Sequence, residues 1–208
     1  TEITTAADRC EAGLVVVGRG HGRGLKEALF GSTASRIVRQ AHRPALLVRA
    51  AVAGPYRRPL AAVDLDGSAG LVLPMLRRLL PPPWPRLPVV HAFEAPFERT
   101  LYPSLSGTDA RTFRETFRKK HLAALERELG RATRDEGGEA MRCKAIVRNG
   151  SARGVIVEAG KRHRADLLAL GTHAYAPVAH AFLGTVAGDV LRDVPCDVLV
   201  VPPPARHS

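Results

Sequence analysis

Aromatic residues, cysteines and long apolar runs are scarce in this chain of 208 residues. Aromatic side chains make up 5% of it, too few to supply a platform on which nucleic-acid bases stack. The three cysteines, Cys10, Cys143 and Cys196, are odd in number and widely spaced. They therefore match neither a disulfide framework nor a zinc motif, and they fit a reducing cytoplasm. No stretch reaches the roughly 18 consecutive apolar residues of a transmembrane helix, so we expect a cytoplasmic protein without a membrane partner.

Positive charge, by contrast, is abundant. The chain has 31 Lys and Arg residues against 20 Asp and Glu residues, a formal net charge of +11. Most of the basic residues are arginines scattered along the sequence, and the tightest cluster is Lys161-Arg162-His163-Arg164. Basic charge of this kind is typical of solvated faces, although it also permits binding to polyanions. The sequence alone does not favour nucleic acid as a partner.

An internal repeat is the strongest pattern in the sequence. Residues 18–48 and residues 171–201 align without a gap. In both segments a glycine follows an apolar strand, a Gly-Ser or Gly-Thr pair precedes a helical run, and a second apolar strand closes the segment. The constant spacing indicates two copies of one unit, and its period is far longer than the roughly 20–50 residues of solenoids and propellers.

The second copy alternates strands and helices. Its strands are continuous apolar runs, which are typical of a parallel sheet buried on both faces. The expected strands are residues 60–63, 89–92, 144–147, 167–170 and 198–201, and the expected helices are residues 67–80, 109–134, 151–163 and 185–192, with Ser151 as the N-cap of the third. This alternation predicts an α/β fold, an open five-stranded parallel sheet with helices on both faces (Rossmann-like), plus the C-terminal part of another copy.

The first copy is incomplete by the same comparison. Residues 1–50 contain the end of a helix, one strand, the glycine loop and the closing strand, about a third of the unit. We therefore expect residues 1–50 to be the C-terminal portion of a first domain, 51–57 a linker and 58–204 a complete second domain. We also expect the chain to derive from a longer tandem protein.

The candidate site lies where ligands of open α/β sheets bind, at the carboxyl ends of the strands. Asp64 and Ala92 end the first and second strands of the second copy, Gly171 ends the fourth, and Gly184-Thr185 begins the last helix. A glycine before a helix lets a phosphate approach the free N–H groups and the positive dipole end of the first turn. A plain N-cap would also place Gly184-Thr185 before a helix. The segment is not a Walker loop, because no Gly-Lys-Ser or Gly-Lys-Thr follows a glycine-rich run.

These motifs, taken together, resemble universal stress protein domains. The resemblance rests on Val63-Asp64, Val90-His91, Asp166-Leu167-Leu168-Ala169-Leu170-Gly171, Gly184-Thr185 and Val194-Pro195-Cys196-Asp197-Val198-Leu199-Val200-Val201. It implies a five-stranded α/β domain that in some members binds ATP. The residues that would contact the nucleotide are Asp64, Ala92, Gly171, His173, Ala174, Gly184, Thr185, Val186 and Ala187.

One position departs from the family's binding pattern, which has a glycine where this chain has Ala174, and His21 stands there in the first copy. A methyl group at Ala174 blocks the approach of a phosphate only if the backbone needs a positive φ. The resemblance thus implies a stress-response regulator that binds ATP or a related adenine nucleotide, with Mg²⁺ as its counterion. No catalytic constellation stands out, so at most slow ATP hydrolysis is expected.

The alternative is an interaction module of the same family that binds no nucleotide. Family members pair through their last strand, so the resemblance implies either a homo-oligomer or an intramolecular pseudo-dimer. In this chain residues 45–48 and 198–201 would form that pair.

Overall fold

The protein is described from a computed structural model, which covers residues 2–18, 43–49, 54–84, 86–95, 107–133, 141–171 and 185–203. The strands are β1 (Val15–Val17), β2 (Ala45–Leu47), β3 (Pro59–Ala62), β4 (Leu87–Phe93), β5 (Cys143–Asn149), β6 (Leu167–Gly171) and β7 (Asp197–Val201). The helices are α1 (Glu2–Arg9), α2 (Ala69–Leu79), α3 (Gly107–Ala132), α4 (Ala152–Arg162) and α5 (Thr185–Asp193).

The seven strands of the described ranges form one sheet in the order β1-β2-β7-β6-β3-β4-β5. The five strands from β7 to β5 are mutually parallel, as the sequence predicts for the second copy. Strand β1 is parallel to β2, but β2 is antiparallel to β7. The predicted α/β fold is therefore confirmed, and the strands of the two copies continue a single sheet.

The β2–β7 pairing follows the internal repeat. Leu46 lies opposite Leu199, the residue with which it aligns in the repeat. On either side of that pair, Ala45 lies opposite Val200 and Leu47 opposite Val198. The two copies are thus related by a local two-fold axis through the Leu46–Leu199 pair, and the expected pairing of their last strands is present within the chain.

Apolar side chains cover both faces of the sheet. One buried cluster packs α2 and α3 against the sheet, with Leu73, Leu76 and Leu125 at its centre. The other packs α4 and α5 on the opposite face and includes Leu47 from the first copy. The central strands β2, β3, β6 and β7 are therefore buried on both sides, which explains why their sequences do not alternate.

Two aspartates at the amino ends of strands hold the connection between the copies. The Asp197 carboxylate accepts hydrogen bonds from the backbone N–H of Arg49 at 2.7 Å and from the hydroxyl of Tyr56 at 2.6 Å. Burial, together with the hydrogen bond to Asp197, raises the pKa of Tyr56. The Asp166 carboxylate accepts from the backbone N–H groups of Arg57 and Arg58 at 2.8 and 2.9 Å.

The predicted element bounds differ from the observed ones mainly at their ends. Strand β4 is longer than predicted, at Leu87–Phe93, and helix α2 is shorter, at Ala69–Leu79. The N-cap at Ser151 is confirmed, because its hydroxyl accepts a hydrogen bond from the N–H of Gly154 at 3.3 Å. No helix in the described ranges is both long and apolar enough to cross a membrane.

The three cysteines are free thiols. Cys196 is buried, Cys143 is partly buried and Cys10 is exposed. Burial raises the pKa of the Cys143 and Cys196 thiols to about 11, so both remain protonated and unreactive near neutral pH.

Candidate functional site

The candidate site lies at the carboxyl edge of the sheet, where β3 and β6 are neighbours. From β3 the chain continues to β4 on one side, whereas β6 and β7 lie on the other side of β3. The strand order therefore reverses between β3 and β6. In open α/β sheets the crevice for a ligand opens at such a point, because adjacent connections turn to opposite faces.

The strand register brings three of the predicted site residues together. Ala62 lies opposite Val90 on β4, so the same register places Asp64 beside Ala92. On the other side of β3, Ala62 lies opposite Leu170, so Gly171 lies beside Val63. Asp64, Ala92 and Gly171 therefore stand on three adjacent strands at the same edge of the sheet.

The loop after β3 is held by short-range hydrogen bonds. The hydroxyl of Ser68 accepts from the Asp64 N–H at 3.0 Å and lies 3.3 Å from the Asp64 carbonyl oxygen. The Asp66 carboxylate accepts from the Ser68 N–H at 3.0 Å, and the Asp64 carboxylate accepts from the Leu65 N–H at 2.8 Å. These contacts fix the backbone of Asp64, while its side chain remains 52% exposed at the edge.

Gly171 has a packing role in this loop that the sequence does not reveal. A Cβ atom at this position would lie 2.9 Å from the Cβ of Ser68, closer than such atoms approach. Ser68 is itself buried, at 5% exposure, where the loop turns into α2. The glycine is therefore required for the close contact of β6 with the start of α2, whether or not a phosphate binds beside it.

His91 is a buried core histidine, with 4% exposure. Its Nδ1 lies 3.2 Å from the Val63 carbonyl oxygen, which can only accept, so Nδ1 donates. In the neutral ring Nε2 then accepts, and it lies 3.0 Å from Nδ1 of His121 on α3. The His91 Nδ1 is also 3.5 Å from the Asp64 carboxylate, which links the histidine pair to the site.

His121 was not singled out from the sequence, since it lies within a helix rich in charged residues. Its ring stacks on His91 and on Phe93, with centroid distances of 5.2 and 4.9 Å. Burial lowers the pKa of His121, the nearby His91 and Lys120 lower it further, and Asp64 opposes the shift. The lowered pKa favours a neutral His121 near neutral pH, hydrogen-bonded to His91 beneath Asp64.

Glu128 is the other residue that sequence reasoning missed. Its carboxylate accepts a hydrogen bond from the N–H of Gly67 at 3.0 Å, which ties α3 to the loop after β3. Gly67 has a φ of +89°, a conformation that favours glycine. A sequence signal exists only for the turn, in Asp66-Gly67, and none identifies a partner 61 positions away.

The phosphate-binding half of the predicted site is described only in part. Helix α5 begins at Thr185 as predicted, with Val186 and Ala187 in its first turn. His173, Ala174 and Gly184 lie outside the described residues, and so does His21. Among the described residues no group of three or more His, Cys, Asp or Glu side chains is placed to hold a metal ion.

The described half offers an exposed carboxylate beside a small apolar side chain. The Asp64 carboxylate can accept hydrogen bonds from ligand hydroxyl or amino groups, and Ala92 lies beside it in the strand register. The backbone N–H groups of the first turn of α5 can receive an anion at the same edge, because α5 follows β6 and precedes β7.

The family model of the universal stress protein family matches residues 1–49 and 56–202. The matching solved structures include a protein of unknown function from Pseudomonas aeruginosa PAO1, at 20% identity and a TM-score of 0.68 over 97% of this chain and 67% of that one. They also include a universal stress protein from Archaeoglobus fulgidus, at 17% identity and a TM-score of 0.64 over 99% of this chain and 66% of that one.

The chain thus spans about two thirds of the length of these structures, and at such identities the likeness concerns the fold. No curated protein matches the chain. The family match, by contrast, covers nearly all of the sequence, in two segments that correspond to the two copies of the repeat. The chain belongs to the universal stress protein family.

Proposed function

We propose that this protein is a cytoplasmic stress-response regulator that binds ATP or a related adenine nucleotide at the carboxyl edge of β3, β4 and β6. One observation carries the proposal: the register places Asp64 beside Ala92, and Gly171 beside the adjacent Val63, at the point where the strand order reverses. Fixed polar groups in a recess at such a point are typical of nucleotide sites.

The adenosine and the phosphates would contact different elements. Asp64 would accept a hydrogen bond from the ribose or the base, and Ala92 would lie against the ring. The first turn of α5, Thr185 to Ala187, and the preceding Gly184 would receive the phosphates, with His173 and Ala174 on the loop between.

Mg²⁺ would enter this site with the nucleotide. The described residues offer no cluster of three ligands for a metal, whereas Mg²⁺ typically uses one or two carboxylates together with phosphate oxygens. In that arrangement the charged Asp64 would complete the shell of an ion held mainly by the phosphates, and Mg²⁺ alone would bind weakly.

Equilibrium dialysis with labelled ATP tests the proposal. The expected result is saturable binding that Asp64→Ala weakens about tenfold, the equivalent of losing one hydrogen bond to a charged acceptor. Asp8→Ala on α1 is the matched control, since it removes the same charge from an exposed carboxylate of the first copy. No saturable binding at millimolar ATP would overturn the proposal.

A second candidate function, an interaction module without nucleotide, is favoured by the β2–β7 pairing. This pairing occupies the outer edge of β7, through which two separate domains of this family would pair. If assembly is the function, it would use β1, which among the described strands ends the sheet on the side of the first copy and carries the 60% exposed Val16. Light scattering with and without ATP separates the two candidates. Self-association that is unchanged by nucleotide favours the interaction module.

A further inference from the structure

Three arginines stand side by side at the amino edge of the sheet, opposite the nucleotide site. Arg58, Arg86 and Arg142 each directly precede a strand, β3, β4 and β5. The observed registers, carried to the strand ends, place Arg58 beside Arg86 and Arg86 beside Arg142. Since neighbouring strands are about 4.8 Å apart, the three Cα atoms lie within roughly 10 Å. All three side chains are exposed.

More basic residues flank this row on both faces of the sheet. The helices run antiparallel to the strands, so their last turns reach the same edge. Arg78 is exposed in the last turn of α2, and Lys161 is exposed in the last turn of α4. The Asp166 carboxylate at this edge is already bonded to the backbone N–H groups of Arg57 and Arg58. We call the row and its flanking residues the basic edge.

Arg164, just after α4, adds a strained position to the basic edge. Its φ is +47°, a left-handed conformation in which glycine normally ends a helix. Glu11, the residue that aligns with it in the first copy, has the same conformation, with a φ of +49°. The backbone shape is therefore common to both copies, while the positive side chain belongs to the second copy alone.

The exposed residues around the basic edge indicate which class of partner it can bind. Among the described residues the large exposed apolar side chains are Ile3 and Val16, both in the first copy. Neither lies at the basic edge, so the described part of this surface lacks a large exposed apolar anchor of the kind that membrane surfaces and protein interfaces use. Like charges on neighbouring strands also repel one another, which an anion lying across them would relieve.

We propose that the basic edge binds the phosphate backbone of double-stranded nucleic acid without reading its sequence. The planar guanidinium groups of arginine donate paired hydrogen bonds to phosphate oxygens, and a duplex presents its phosphates at regular, fixed spacing. Single strands are less suited, because their binding uses stacking on aromatic side chains. The nucleotide site is at the other end of the strands, so this surface does not depend on the proposed function.

Fluorescence anisotropy with two labelled DNA duplexes of unrelated sequence tests the proposal. Both are expected to bind alike, with an affinity that falls as salt rises, at a log–log slope of about −3 to −5 for four or five phosphates. Arg86→Glu combined with Arg142→Glu is expected to weaken binding at least tenfold and to reduce the slope by about 2.

The control reverses two exposed charges on α3, Arg111→Glu with Lys119→Glu, and changes the net charge equally. It is expected to weaken binding less than threefold. Equal losses in the two double variants would show non-specific attraction and overturn the proposal. So would the absence of saturable binding at about 50 mM salt, or a preference for acidic lipid vesicles over the duplex.

Arg164→Gly separates binding from folding. Glycine relieves the strain, so the melting temperature is expected to rise while the affinity for the duplex falls. A variant that is more stable yet binds DNA less well cannot owe its defect to misfolding. An affinity unchanged from that of the wild type would contradict the inclusion of this strained arginine in the surface.

Discussion

Replacing Gly171 by alanine tests whether the carboxyl edge is built as described. The added Cβ would lie 2.9 Å from the Cβ of Ser68 and 3.7 Å from a methyl group of Val72. The Ser68 Cβ cannot swing away, because its residue is buried and its hydroxyl is bonded to the backbone of Asp64. The start of α2 must therefore shift.

We expect Gly171→Ala to lower the free energy of unfolding by about 1–3 kcal/mol, the usual cost of overpacking a buried contact. For a chain of this size, 1 kcal/mol corresponds to about 2–4 °C in melting temperature. Urea unfolding followed by circular dichroism measures the change.

Gly70→Ala is the matched control, since nothing lies within 4 Å of a Cβ at this position in helix α2. It should stabilise the protein by up to about 1 kcal/mol through helix propensity. Ser68→Gly combined with Gly171→Ala should cost less than the two separate changes added together, because the clash is gone. Strict additivity, or a Gly171→Ala variant as stable as the wild type, would refute the reasoning.

Three further predictions concern stability. Leu47→Ala in β2 is expected to lower the free energy of unfolding by about 2–5 kcal/mol in urea unfolding, because the side chain is fully buried against the second copy. Tyr56→Phe, measured in the same way, is expected to cost about 1 kcal/mol through the lost hydrogen bond to Asp197. His121→Gln is expected to flatten the loss of stability below about pH 6.5, because folding lowers the pKa of His121.

The sign of the pH effect follows from protonation. The unfolded chain takes up a proton at His121 near pH 6.5, and the folded chain does so only at lower pH. Stability is therefore complete above about pH 6.5 and falls as the pH drops through that value toward the lower pKa. A pH profile identical in the variant and the wild type would contradict this assignment.

The predictions for Leu47→Ala and Tyr56→Phe each have a control variant in the same part of the structure. Val16→Thr on β1 changes a side chain that is 60% exposed and should alter stability by less than about 0.5 kcal/mol. Asp197→Ala should cost more than Tyr56→Phe, because it removes the acceptor of both Tyr56 and the Arg49 N–H. If Leu47→Ala were as mild as Val16→Thr, the first copy would not be part of the common core.

Much of the fold follows from the sequence, because apolar runs and their spacing determine it directly. The repeat locates two equivalent closing strands, the family resemblance implies that residues 45–48 and 198–201 pair, and β2 does pair with β7. The N-cap at Ser151 also follows, since it depends only on neighbouring residues. Local features of this kind can be predicted without knowing which residues lie opposite each other on neighbouring strands.

The parts that the sequence does not reveal depend on contacts between distant residues. Gly171 reads as a phosphate-binding glycine, but its contact with Ser68 arises only when β6 lies beside β3. His121 becomes a partner of His91 only when α3 packs on β4. The arginines of the basic edge look scattered along the chain and become neighbours only through the strand register. The sequence alone therefore does not favour nucleic acid as a partner, whereas the strand register supports the proposal that the basic edge binds it, and the duplex titration decides between the two.

Titrating ATP into isotopically labelled protein and following backbone amide shifts by NMR tests the proposed nucleotide site at the carboxyl edge. Saturable shifts are expected at Asp64, Ala92 and Gly171. Shifts absent from these three amides at millimolar ATP, or confined to the arginines of the basic edge, would contradict it.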